Sequence, residues 1–211
     1  MGQRSEIQMI DNLFPTTVYY SDNNLLDSLD GYKSQCMKII NELENVPHPF
    51  GESSLQTSFW HQTYGHLYNL ESFRNLSEQI IDQAVGFLNF LGFPGILPSN
   101  VNFLNMWVNV IGKHDYHAQH IHSTTGRAFL SGVFYVDAPA NSSLEFGSPY
   151  RDAYFPLKPP VDNYSNYSMM KYDCIPGRLI MFKSNVYHGY NSHNQDANKI
   201  SIPFNLAISL D

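Results

Sequence analysis

The stretch Tyr116–Val136, YHAQHIHSTTGRAFLSGVFYV, carries three of the nine histidines of this 211-residue chain and decides how the rest is read. His117, His120 and His122 are followed by polar turn residues, Ser123 to Gly126, and then by Phe129 to Val136, a run rich in aromatic and β-branched residues that reads as a strand. Side chains two apart on a strand share a face. His120 and His122 therefore point together with Ala118, while His117, Gln119 and Ile121 point the other way. Two imidazoles on one face can chelate a metal. Two surface histidines give the same spacing, so H-x-H alone leaves both readings open.

A later segment, Gly177–Ser192 (GRLIMFKSNVYHGYNS), adds weight to the metal. Its apolar run Leu179 to Phe182 is followed by the polar turn Lys183 to Asn185, and His188 begins a short neighbouring strand. A histidine pair on one strand closed by one more histidine from a late strand describes the metal site of a double-stranded β-helix. Such a site keeps coordination positions open for substrate and oxygen.

Composition sets the bounds. Hydrophobic residues make up 43% and charged residues 15%, which describes a chain that folds by itself, and the length suits one domain with a sizeable core. One domain over 1–211 is expected, with 1–100 supplying an N-terminal strand and helical support and 101–211 the β core. A net charge of −7 without clustered Lys or Arg speaks against a general nucleic-acid binder. The N-terminus lacks the apolar core of a signal peptide and no stretch reaches the length of a membrane span, so a cytoplasmic location is expected. Cys36 and Cys174 stand in unrelated contexts, as buried thiols rather than a disulfide.

Taken in order, Phe14 to Tyr20 reads as an early strand. Asn23 or Asn24 caps a helix to about Glu44, and Leu70 to Leu91 reads as a second helix, ended by Gly92 and Pro94. The segment from Pro47 to His66 has no clear assignment; Trp60 and His61 in it border a site or, more commonly, pack in the core. Val101 to Ile111 reads as one strand with Asn105, Trp107 and Asn109 on one face, either lining a cavity or facing solvent, and Met106, Val108 and Val110 on the core side. Strands follow at Ser131–Val136, Leu144–Phe146, Met169–Cys174 and Arg178–Phe182, the last two separated by a turn at Pro176-Gly177. The proline- and tyrosine-rich segment Gly147 to Met170 reads as a loop bordering a site. Finally, in Lys199 to Ile208 the residues Lys199, Ser201, Pro203 and Asn205 face one way, and Ile200, Ile202, Phe204 and Leu206 the other.

Three blocks, NMWVNVIGKHDYHAQHIH, FLSGVFYVDAPANSSLEFGSPYRD and PGRLIMFKSNVYHGYNSHNQDANKISIPFNLAIS, resemble the iron(II)- and 2-oxoglutarate-dependent oxygenases. The closer resemblance is to a branch with an H-x-H motif found in marine bacteria and their phages. The blocks cover about half of the chain. The resemblance implies a mainly β fold: a double-stranded β-helix (jelly-roll, cupin-like) core with the N-terminal helices packed on the larger sheet. It also implies Fe(II) and the cosubstrate 2-oxoglutarate. Carried over by position, His120 and His188 correspond to metal ligands, Lys199 to the cation that pairs with the 2-oxoglutarate C5 carboxylate, and Ser201 to a hydrogen-bond donor to the same group. Most of the superfamily has Asp or Glu where this chain has His122. A three-histidine site results, unless Asp115, Asp137 or Glu145 steps in. Lys199 stands where Arg is common, a point charge in place of a two-pronged fork.

The expected activity is that of a dioxygenase that takes an unidentified substrate and O2, decarboxylates 2-oxoglutarate and hydroxylates a C–H bond. Fe(II) is held by His120, His122 and His188, and Trp107, Asn109 and the tyrosine-rich loop contact substrate or cosubstrate. Two other readings stay open. One is a three-histidine iron dioxygenase without a keto acid, against which Lys199-x-Ser201 argues. The other is a cupin-like or jelly-roll binding module. Oligomeric state is open as well, a homodimer included.

Overall fold

Strand alternation in the second half of the chain divides the core in two. The computed structural model describes residues 16–43, 55–122, 127–148, 161, 168–190 and 195–209. Within these, the elements are β1 (Val18–Ser21), α1 (Leu29–Glu42), β2 (Gln56–Thr57), α2 (Arg74–Phe90), β3 (Val101–Met106), β4 (Asn109–Ile111), β5 (His117–His120), β6 (Leu130–Asp137), β7 (Ser143–Gly147), β8 (Met169–Asp173), β9 (Leu179–Lys183), β10 (His188–Tyr190) and β11 (Lys199–Ile208). The larger, seven-stranded sheet has the order β1-β9-β6-β11-β4-β2, with β3 also paired to β11, and the smaller has the order β5-β10-β7-β8. All named strand pairs are antiparallel. This is the double-stranded β-helix that the sequence predicts.

One face of the larger sheet meets the helices. Leu130, Phe134 and Val136 of β6, Leu179 and Met181 of β9, and Ile200, Ile202, Phe204 and Leu206 of β11 pack there against Tyr32, Cys36 and Ile40 of α1 and Leu76, Ile80, Ala84 and Phe87 of α2. The opposite face turns into the roll. Val133 and Tyr135 of β6 and Ile180 and Phe182 of β9 meet Leu144 and Phe146 of the smaller sheet. Both cysteines are buried and free, and burial pushes the Cys36 thiol up to about 12. That is the small-apolar-group role their contexts predict.

The second helix ends as predicted, at Gly92, whose φ of 93° continues a left-handed turn that places the Phe93 N–H on the Leu88 carbonyl at 3.0 Å. The first begins later than expected. Asn24 does not cap it, because its side-chain amide donates to the carbonyls of Ser21 and Gly177, and a short 3-10 turn, Leu26–Ser28, precedes α1. The predicted single strand Val101–Ile111 is broken at Trp107 and Val108. Opposite the break lies Pro203, whose carbonyl accepts the Trp107 N–H at 3.1 Å but which has no N–H to return, and Val108 pairs with Ser58 instead, giving its N–H to Ser58 Oγ at 2.9 Å and accepting the Ser58 N–H on its carbonyl at 3.0 Å. Residues 14–15 and most of the tyrosine-rich segment, 149–160 and 162–167, lie outside the described residues, so the loop reading of that segment does too. No described helix is long and apolar enough to cross a membrane.

Candidate metal centre

The mouth of the roll is built by three neighbouring pieces of chain. Strand β10 starts at His188, directly opposite His120 of β5 in the antiparallel register. Two residues further on, the His122 N–H is fixed on the Ser184 carbonyl at 2.8 Å. One nitrogen from each of these three imidazoles can be chosen so that all lie within 4.8 Å of one another. The sequence-predicted histidines therefore do meet. Among the described residues the cluster contains no carboxylate. Asp115 accepts the Gly112 N–H, Asp137 is paired with Lys33 at 2.6 Å, and Glu145 with Lys171 at 2.6 Å, each spent elsewhere.

The ring protons can be assigned from the partners. His120 Nδ1 and His188 Nδ1 each donate to a backbone carbonyl two residues back, Ala118 and Val186, at 2.9 Å. His122 Nδ1 donates to Asn205 Oδ1 at 2.6 Å. With Nδ1 protonated in each ring, the Nε2 atoms carry lone pairs. His120 Nε2 and His122 Nε2 face each other at 2.8 Å. Two lone pairs this close repel unless a cation lies between them. Metal–imidazole bonds of about 2.1 Å at a right angle put two nitrogens about 3.0 Å apart, close to what is seen. Burial, with like charge from His120 and His122, holds His188 well below its usual range, and burial holds His122 down to about 4. Neutral imidazoles with inward lone pairs fit a divalent transition metal.

The cavity in front of them is lined by Trp107, Asn109, His117, Tyr135, Tyr190, Lys199 and Ser201, among others. All seven residues that the sequence proposes for metal or cosubstrate thus face one space. For Trp107 and Asn109 the cavity reading holds rather than the solvent one, since both are buried and Trp107 Nε1 donates to Asn109 Oδ1 at 3.0 Å, whereas Asn105 is taken up by the Asn205 amide. Ser201 stands opposite Asn109 in the β11–β4 register. Lys199 is 3% exposed, and its ammonium sits 3.1 Å from the centre of the Tyr190 ring and 5.7 Å from that of Tyr135. Burial pulls its pKa down to about 8. Among the described residues no carboxylate forms an ion pair with it.

One residue turns the wrong way for simple alternation. His117, expected on the outer face, lines the cavity with its ring centre 4.3 Å from that of His120. The pairing explains it: His188 lies opposite His120 and Tyr190 opposite His117, so three steps on β5 answer two on β10. That bulge reverses the facing of His117. Trp60, for which burial is the commoner fate, is 48% exposed and packs edge-on against Phe59, itself against Trp107.

Residues 105–205, from the end of β3 into β11, match the model of a family described as "Putative 2OG-Fe(II) oxygenase". The match covers 101 of the 211 residues, the part that holds the histidine cluster and Lys199. Solved structures agree on the fold. A Pseudomonas putida prolyl-4-hydroxylase is similar with a TM-score of 0.65 at 14% identity, over 94% of this chain and 96% of that one. HygX from Streptomyces hygroscopicus, solved with nickel, 2-oxoglutarate and hygromycin B, gives 0.61 at 11% identity, over 92% and 84%. The α-ketoglutarate-dependent epimerase SnoN of nogalamycin biosynthesis gives 0.65 at 12%, over 92% and 79%. No curated protein matches the chain.

Sequence reasoning passed over Tyr135, Tyr190 and the facing of His117. Tyr190 was within reach, because it lies two residues after His188 on a strand and so shares its face. The bulge left no signal in the sequence.

Proposed function

We propose that this chain is a 2OG-Fe(II) oxygenase that hydroxylates a C–H bond of its substrate, with His120, His122 and His188 as the protein ligands of Fe(II) and Lys199 as the anchor of 2-oxoglutarate. The observation that carries it is the convergence of the inward Nε2 lone pairs opposite a buried lysine on one cavity wall. When bound, Fe(II) and 2-oxoglutarate supply the oxidising chemistry, consuming O2 and releasing succinate and carbon dioxide as one oxygen atom enters the substrate. The chain's own residues bind, orient and exclude water. Lys199 pairs with the distal carboxylate of the keto acid, and its tyrosine surroundings keep that pair out of water, where its attraction is stronger. Ser201 donates to the same carboxylate. The Asn109 side chain, fixed by Trp107 Nε1, presents its amide to the cavity, and the Trp107 ring forms a wall beside His122.

With three neutral ligands the protein leaves the full charge of the cation for the dianionic cosubstrate to neutralise. A three-histidine dioxygenase that needs no keto acid would have little use for a cation buried across the same cavity. The test is anaerobic titration of the Fe(II)-loaded protein with 2-oxoglutarate, following the weak visible band of the chelated keto acid. The band is expected in the wild type, with its half-saturation raised at least tenfold in Lys199→Ala. Iron binding without a band would point to the keto-acid-free reading, and no iron binding to a binding module.

A further inference from the structure

Two of the three proposed ligands are oriented by their own strands. His120 and His188 each give the Nδ1 proton to a carbonyl two residues back, a bond that no side-chain substitution removes. His122 differs. It lies beyond the end of β5, and its ring is held by residues far away in sequence.

Asn205 Oδ1 receives the His122 Nδ1 proton at 2.6 Å and the Ser131 hydroxyl proton at 2.6 Å. Its amide nitrogen donates to Asn105 Oδ1 at 2.7 Å, the arrangement in which Asn205 Oδ1 faces the histidine. Because the Ser131 proton is given to Asn205, the 2.8 Å contact between Ser131 Oγ and Ser184 Oγ has Ser184 as donor. The group is built into the sheet register: Asn105 stands directly opposite Asn205 on β3, and Ser131 directly opposite it on β6. Asn205, Ser131 and Ser184 are all buried. Three buried polar residues and a partly buried asparagine, on adjacent strands or one residue past β9, form a hydrogen-bonded group that ends on one imidazole, and such a group would be costly in an apolar core unless fully paired.

We propose that Asn205, backed by Asn105, Ser131 and Ser184, is a positioning residue that locks His122 in its Nδ1–H form with Nε2 turned to the metal. This rests on the reading of His122 as a ligand. An imidazole has two nitrogens and two ring orientations, so a histidine at this position needs an acceptor behind it, and Asn205 supplies one. A neutral amide leaves the imidazole neutral. A carboxylate in the same place would draw the proton toward itself and make the ligand more electron-rich.

The test is calorimetric Ni(II) titration of the wild type, Asn205→Leu, Asn205→Asp and His122→Ala, with circular dichroism as a check of folding. Asn205→Leu should bind Ni(II) 10–100-fold more weakly, the usual cost of losing a partner of a metal-bound histidine. Asn205→Asp keeps the acceptor and should restore binding to within a few-fold of wild type. In the Zn(II)-loaded, nitrogen-15-labelled protein, His122 should show a protonated Nδ1 and a metal-shifted Nε2. Wild-type affinity in Asn205→Leu, with binding lost in His122→Ala, overturns the positioning role and leaves the ligand reading intact. Wild-type affinity in His122→Ala overturns the ligand reading itself. Should Asn205→Leu not fold, the wild-type spectrum decides: a His122 ring protonated on Nε2 in the metal-free protein overturns the proposal.

Discussion

Lys199, the proposed anchor of the cosubstrate, shows most directly how a single residue can be placed at the expense of stability. Its ammonium is buried against aromatic rings and its pKa is pulled down to about 8, so the folded protein holds this proton less tightly than the unfolded chain does. Between that value and the usual lysine value the unfolded chain binds more protons, and stability therefore rises with pH across that window; below about 8 the cost of burying the cation is borne in full. Replacing the cation by an apolar chain of similar length removes that cost. Lys199→Met should stabilise the metal-free protein at pH 7 by on the order of 1–3 kcal/mol in chemical denaturation while abolishing 2-oxoglutarate binding. Lower stability in the variant would mean that the ammonium is not an electrostatic burden. The same titration governs affinity. A carboxylate pairs only with the protonated lysine, so the dissociation constant for 2-oxoglutarate should be flat below pH 7 and rise about tenfold from pH 7 to pH 9. Lys199→Arg, charged throughout, should lack this rise, and a wild type without it would remove Lys199 from the cosubstrate site.

At the scale of elements, the β5–β10 pair sets the geometry of the proposed metal ligands. Gly189 lies between His188 and Tyr190, and a Cβ there would come within 2.8 Å of the His117 carbonyl oxygen and 3.0 Å of the Gln119 nitrogen. Both contacts are backbone atoms of the bulged strand, which cannot step aside without moving His120. Gly189→Ala should weaken Ni(II) binding at least tenfold while the far-ultraviolet circular dichroism stays that of the wild type; unchanged affinity would show that β5 can shift without moving its histidine. The bulge is also where the sequence could not be read. Alternation on β11 was legible and correct, because Lys199 and Ser201 face the cavity while Ile200, Ile202, Phe204 and Leu206 face the helices. The meeting of His120, His122 and His188 was legible from an H-x-H pair and a late strand. The facing of His117 was not, since it depends on how two strands register and not on any residue within β5. For the same reason the break at Trp107 was hidden: its cause, Pro203, lies almost a hundred residues downstream and becomes its neighbour only once β3, β4 and β11 pair. The late start of α1 follows the same rule, with Asn24 drawn off by the carbonyl of Gly177.

For the whole molecule, the two cores have different duties. The helices and the outer face of the larger sheet share a continuous apolar cluster, whereas the inner cluster is smaller and opens onto the polar cavity. The proposed ligands sit on the smaller sheet and just past its edge strand, and His122 is tied to the larger sheet through Asn205 and Ser184. A metal held by all three would therefore fasten the smaller sheet to the larger at the mouth of the roll. Linkage gives the size: at a free metal concentration 100-fold above its dissociation constant, binding stabilises the folded state by about 2.7 kcal/mol. For a chain of this length that corresponds to a rise in Tm of roughly 5–10 °C. The rise should appear with Fe(II) under anaerobic conditions or with Ni(II), vanish on chelation, and be absent in His188→Ala. It should also be local in hydrogen exchange, because opening of the mouth is what the metal opposes, while the helical cluster is already closed. Amides of β5 and β10 should gain protection on loading and those of α1 and α2 should change little. Equal protection of the helices would mean that the two sheets and the helices open as one unit, and the separation into a scaffold and a fastened mouth would be wrong.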